Sequence, residues 1–127
     1  MKRLGGVLFT IVLLLIVGCQ QGPQSTAASP AGGVPAELAK GEALFNSHCA
    51  KCHGQGAVGT DRGPSFLNKI YEPNHHGDAA FHLAARGGVR AHHWQFGNMP
   101  PVEGVGEADV DEIVRYVRWL QRQAGIF

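Results

Sequence analysis

Residues 49–53 read Cys49-Ala50-Lys51-Cys52-His53, and the rest of the chain is best read outward from them. Two cysteines three apart lie on the same side of one helical turn. A histidine follows directly. A structural zinc site wants a second ligand pair at suitable spacing. The chain has only 3 cysteines, and the third, Cys19, lies far upstream. A thioredoxin-like redox pair wants a strand–helix–strand setting, and no segment here alternates like a strand. The remaining chemistry is covalent attachment of a haem. The two sulfurs then reach the two vinyl groups of one porphyrin edge, and His53 lies under the iron as the proximal ligand.

The composition agrees. A chain of 127 residues allows one domain plus tails. Lys and Arg number 11 against 10 Asp and Glu, with no basic stripe, which argues against a nucleic-acid partner. The 18 glycines and 7 prolines indicate short helices joined by loops. So small a domain buries a modest core on its own, and a large apolar cofactor enlarges it.

Residues 1–18 read as a targeting segment. Lys2 and Arg3 precede an apolar run from Val7 to Val17, broken only by Thr10. The run is too short for a bilayer, which takes roughly 20 apolar residues. It ends in Ile16-Val17-Gly18-Cys19, which resembles the lipobox of bacterial lipoproteins. That resemblance implies lipidation of Cys19 after removal of residues 1–18. Loss of Lys2 and Arg3 takes the 11 basic side chains to 9, against 10 acidic, so the mature chain is near neutral. Residues 19–33 form a lipidated cysteine and a tether without charge, aromatic residue or apolar period. Residues 34–127 form the folded domain.

Within that domain the reading is all-α. Ala36 to Asn46 is helical in composition, with Leu38, Leu44 and Phe45 for burial and Gly41 as a point of close helix approach. A second helix is predicted over Asp78–Arg86, stopped by Gly87-Gly88, with Ala80, Phe81, Ala84 and Ala85 on its apolar face. The last helix carries Val110, Ile113, Val114, Val117 and Leu120 on one stripe, with Tyr116 and Trp119 at its edges. Asp109, Asp111 and Glu112 suit its first turns, and Gly125 its end.

From about Ala36 to Leu120 the sequence resembles the class I c-type cytochromes. GEALFNSHCAKCHG, residues 41–54, is similar to that family's first helix and haem site. Gly63-Pro64 resembles the pair whose proline carbonyl accepts the proximal histidine's ring N–H. Gly97-Asn98-Met99-Pro100-Pro101 resembles the family's methionine loop. Gly41, Phe45 and Tyr116 match the crossing of its first and last helices. The resemblance implies one covalent haem c in a small fold of short helices and loops. Two features depart from the pattern: His92-His93-Trp94 just before Met99, and His75-His76.

Met99 is the expected sixth ligand. It follows His53 by 46 residues, enough chain to wrap a haem and return on its far face. Pro100 and Pro101 stiffen its loop through fixed φ angles. His92 and His93, the rivals nearest in sequence, are expected near the haem rim with Arg90 and Trp94, as candidate partners of a propionate. His48, His75, His76 and His82 read as solvated surface histidines. With His53 and Met99 filling both axial positions, the expected role is electron transfer rather than enzymatic turnover. Partners would be an oxidase, a dehydrogenase or a quinol-oxidising complex. The lipidated chain would sit on the extracytoplasmic side of the cell envelope, with Gln20 resembling an outer-membrane signal where two membranes exist. A gas-binding or copper-handling accessory of oxidase assembly is the alternative.

Overall fold

In a computed structural model, residues 32–127 are described; the segment 1–18, Cys19 and most of the tether lie outside the described residues. Among the described residues four α-helices form: α1 (Ala39–His48), α2 (Ala50–His53), α3 (Asp78–Gly87) and α4 (Glu107–Gln123). No strand forms among the described residues; one antiparallel bridge pairs Val89 with Met99.

The first helix begins as a 3₁₀ turn, Ala36–Leu38, because the Leu38 N–H donates to the Pro35 carbonyl at 2.9 Å. It then runs two residues beyond the predicted end, to His48. Cys49 keeps near-helical backbone angles, and its N–H still donates to Phe45 O at 2.8 Å. α2 therefore follows almost without a break and ends at Gly54, whose φ is +74°. α3 runs one residue past the predicted Arg86, through Gly87, with Gly88 as its cap. At the start of α4 the Asp109 carboxylate accepts the Gly106 N–H at 3.3 Å, closing one of the donors left open at a helix N-terminus.

The core lies between α1 and α4. Phe45, Ala57, Ile113, Tyr116, Val117 and Leu120 form it, and all five predicted stripe residues of α4 are buried. Full burial of Phe45 and Val117 contributes about 1.5–3 kcal/mol each. Tyr116, at the edge of the stripe and at the helix crossing, is 2 % exposed, with its ring 5.7 Å from that of Phe45. Trp119 is half-buried and stacks on Tyr116 at 6.2 Å.

Gly41 is the point of closest approach. A Cβ there would run into the Glu112 carbonyl oxygen and come within 3.0 Å of Tyr116 Cβ. Both neighbours belong to α4, one a helical carbonyl and the other the base of a buried side chain, so neither has room to yield. Helix propensity alone makes Gly41→Ala stabilising by about 1 kcal/mol. The steric conflict reverses the sign: we expect Gly41→Ala to destabilise by about 1–3 kcal/mol. Denaturant unfolding of the two proteins decides which effect wins.

Candidate cofactor site

The chain from Gly54 to Phe66 folds back over α2. Gly59 N–H donates to His53 O at 2.6 Å, and the Thr60 hydroxyl donates to Cys52 O at 2.5 Å. Phe66 N–H and the Ser65 hydroxyl both donate to Ala57 O, at 2.9 and 3.0 Å. These bonds bring the Pro64 carbonyl to His53, whose Nδ1 lies 2.9 Å from Pro64 O. A carbonyl oxygen only accepts, so Nδ1 carries the proton and Nε2 keeps a lone pair. Burial lowers the His53 pKa, with the Pro64 bond opposing in part, so the neutral ring is favoured. Phe66 stacks on the imidazole at 4.2 Å and an interplanar angle of 24°. One ring face and one ring nitrogen are thus fixed by protein.

His53 lines a cavity of about 800 Å³, together with Cys49, Cys52, Pro64 and Met99. The volume is in the range of sites that enclose a cofactor-sized ligand, roughly 300–1,000 Å³. Its walls are largely apolar: Phe66 on one side, and Ala80, Phe81, Ala84 and Ala85 from the predicted face of α3. That explains why this face is only half-buried by protein atoms. Burial, and then the neighbouring Cys52, push the Cys49 thiol up to about 11, so it is a neutral thiol at physiological pH. Two free cysteines, one imidazole with an available nitrogen and one thioether line a single apolar cavity. This donor set fits a haem c.

Met99 reaches the cavity by another route. Val89 and Met99 exchange both backbone hydrogen bonds at 2.9 Å, which ties the methionine loop to the end of α3. Val102 N–H donates to Ala85 O at 2.8 Å, and the Asn98 side chain accepts from Ala91 N at 2.9 Å. Gly88 makes the join. Its φ is +72°, and a Cβ there would strike the Met99 carbonyl oxygen.

Arg90, His92, His93 and Trp94 also line the cavity. The Trp94 indole N–H donates to the Tyr71 hydroxyl at 3.0 Å, so this donor is already engaged within the protein. The solvated-surface expectation holds for His75 alone. His48 and His76 are half-buried, and His82 lies 3.0 Å from an Asp111 carboxylate oxygen.

Four positioning residues escaped the sequence reading: Phe66, Tyr71, Arg118 and Gln121. Arg118 is 8 % exposed and Gln121 is 1 % exposed. Arg118 donates to Asp78 Oδ1, Tyr71 O and Gln121 Oε1 at 2.8, 2.8 and 2.6 Å, and to His76 O at 2.5 Å. Its guanidinium carbon sits 5.0 Å from the centre of the Phe81 ring. Gln121 donates to Phe66 O and Tyr71 O at 2.9 and 3.1 Å. The signal was present in the sequence: Arg118 and Gln121 lie four residues after Val114 and Val117, on the apolar face of α4.

The two tyrosines allow a direct check of this packing, because the chain has no others. Burial raises the Tyr71 pKa, although the Trp94 hydrogen bond favours the phenolate. Burial, and then the Glu42 carboxylate, push Tyr116 up to about 12. An unfolded tyrosine ionises near about 10, so the unfolded chain loses protons first and stability falls as pH rises through that value. Ultraviolet difference titration should find tyrosinate in the native protein only above the pH at which the denatured protein forms it. Coincident native and denatured curves would contradict the burial of both rings.

The family model for cytochrome c matches residues 38–121. Neither a curated protein nor a solved structure matches the chain.

Proposed function

The chain belongs to the cytochrome c family, and we propose that it carries single electrons on one haem held by Cys49, Cys52, His53 and Met99. One observation carries the reading: the two thiols, the imidazole and the thioether line the same cavity, with the imidazole turned by Pro64 so that Nε2 keeps its lone pair. Bound haem supplies a reversible one-electron couple.

The protein's part is to hold and to shield. Cys49 and Cys52 would hold the haem through thioethers, a linkage that addition of S–H to a double bond supplies without an oxidant. His53 offers a neutral nitrogen whose orientation is set by Pro64 O and Phe66. Met99 offers a soft neutral donor from the opposite loop. Held by both His53 and Met99, the iron would have no site open to a substrate, which favours electron transfer over turnover. The apolar walls exclude water and disfavour extra positive charge, so they favour the reduced state and a high potential.

The proposed setting is the extracytoplasmic side of the cell envelope, where members of this family typically work. No described helix is long and apolar enough to cross a membrane. Attachment would instead come from lipidation of Cys19, and two or three acyl chains hold far more firmly than one. The redox partners would be an oxidase, a dehydrogenase or a quinol-oxidising complex at the same membrane.

Two experiments test this reading. Wild type should show the long-wavelength sulfur-to-iron charge-transfer band when oxidised, and no carbon monoxide binding when reduced. Met99→Ala should lose the band and bind carbon monoxide. In denaturing electrophoresis the haem should stay with wild type and leave the Cys49→Ala, Cys52→Ala double variant. Survival of the band in Met99→Ala would remove methionine from the iron, and carbon monoxide binding by wild type would favour gas binding.

The anchor is tested separately. Cys19→Ala should shift the protein from the membrane to the soluble fraction or leave it with its leader uncleaved. An unmodified Cys19 in membrane-bound protein, found by mass spectrometry, would refute lipidation.

A further inference from the structure

Four histidines from two segments far apart in sequence meet at the edge of the cavity. Ring centroids of His75 and His93 lie 5.4 Å apart, those of His76 and His93 5.4 Å, and those of His92 and His93 4.2 Å. His75, His76 and His93 each bring one ring nitrogen within 4.8 Å of the others. No acidic side chain belongs to the group. None of the four histidines is used by the proposed haem ligation.

We propose that His75, His76 and His93 form a mononuclear site for a divalent transition-metal ion of the copper and zinc class, separate from the haem iron. The spacing supports it. His75 Nε2 and His93 Nε2 are 3.4 Å apart. Two nitrogens bound tetrahedrally at roughly 2.0–2.1 Å from one ion lie about 3.3–3.4 Å apart. His75 and His93 are exposed and free to make the small movement that closes the third edge.

The surroundings support it as well. His76 Nδ1 lies 2.6 Å from Ile70 O, and His92 Nδ1 lies 2.8 Å from Arg90 O. Each carbonyl fixes the proton on Nδ1 and leaves a lone pair on Nε2, the arrangement typical of a metal-binding histidine. The backbone behind His76 is itself held, since Arg118 donates to His76 O at 2.5 Å. A set of neutral imidazoles selects against calcium, magnesium and manganese, which prefer oxygen ligands. Between the candidates, copper(II) should bind more tightly than zinc. His92 lies beside His93, with ring centroids 4.2 Å apart, but outside this three-nitrogen group.

The inference does not depend on the haem reading, because none of its ligands is a haem ligand. It is tested on the purified haem-loaded protein by titration with copper(II), followed by electron paramagnetic resonance and calorimetry. We expect one equivalent to bind with nitrogen superhyperfine structure, and zinc to compete for the same site. His75→Gln and His93→Gln should each weaken binding by at least about tenfold, since loss of a residue that merely supports a ligand costs that much. Both side chains are exposed, so the fold should survive; an unchanged far-ultraviolet circular dichroism spectrum checks that it has. His48→Gln and His82→Gln should bind as wild type does. Absence of stoichiometric binding would overturn the proposal, as would equal affinity in a His75→Gln, His93→Gln double variant.

Discussion

The contact between α1 and α4 at Gly41 sets where everything else can lie. With no side chain at Gly41, the backbone of α1 comes against the Glu112 carbonyl and the base of Tyr116. Phe45, one turn further along α1, is then driven fully into the core beside Tyr116 and Val117. The three residues after Phe45 complete α1, and the chain passes straight into Cys49 and α2. The position of both sulfurs and of His53 therefore follows from how closely two helices cross, about two to three turns away. A wider crossing would move the attachment segment relative to α4 and to the loop that α4 holds.

The two sides of the cavity are built differently. On the histidine side, side-chain packing and a carbonyl fix the ring itself: Phe66 covers one face and Pro64 O holds Nδ1. On the methionine side, the backbone is fixed and the side chain is left to its own rotamers, since the bridge to Val89 involves only main-chain atoms. That asymmetry would suit the two proposed ligands. An imidazole has one usable nitrogen and must be aimed, whereas a thioether on a flexible stem can adapt once its Cα is in place. It also locates the easier place to change the chemistry. The methionine loop can alter without disturbing the core, while the histidine side is continuous with it.

Much of this was legible because the signals are local. The pentad 49–53 joins neighbouring residues, so its meaning survives without a fold. The stripe from Val110 to Leu120 spans three turns of one helix and repeats with helical period. Gly63-Pro64 and the methionine loop were legible only by resemblance, since nothing in their own composition says which histidine the carbonyl meets. What stayed hidden was long-range and polar. The meeting of His75 and His76 with His93 depends on the path of the chain across α3, and no sequence period records it. Arg118 and Gln121 were visible as polar residues on an apolar face. Their partners, mostly backbone carbonyls of residues 66–76, could not be read, because a carbonyl has no residue identity.

Those hidden contacts join the two walls through a single residue. The Tyr71 carbonyl accepts from both Arg118 and Gln121, which fastens it to α4. Its ring meets Phe66 edge-on at 5.1 Å, and Phe66 in turn lies on His53. Its hydroxyl accepts from Trp94, in the segment that leads to Met99. A chain of contacts thus runs from α4 through Tyr71 to the histidine side by way of Phe66, and to the methionine side by way of Trp94. Arg118 also holds the backbone of His76, so the histidine cluster shares the same support. A buried guanidinium is costly to desolvate, and replacing such a group with apolar side chains is often neutral for stability alone. Its use here is better understood as geometry. Three acceptors on Asp78, Tyr71 and His76 are satisfied at once only when the loop of residues 66–78 lies in one position on α4. That position fixes the distance between the two walls of the cavity.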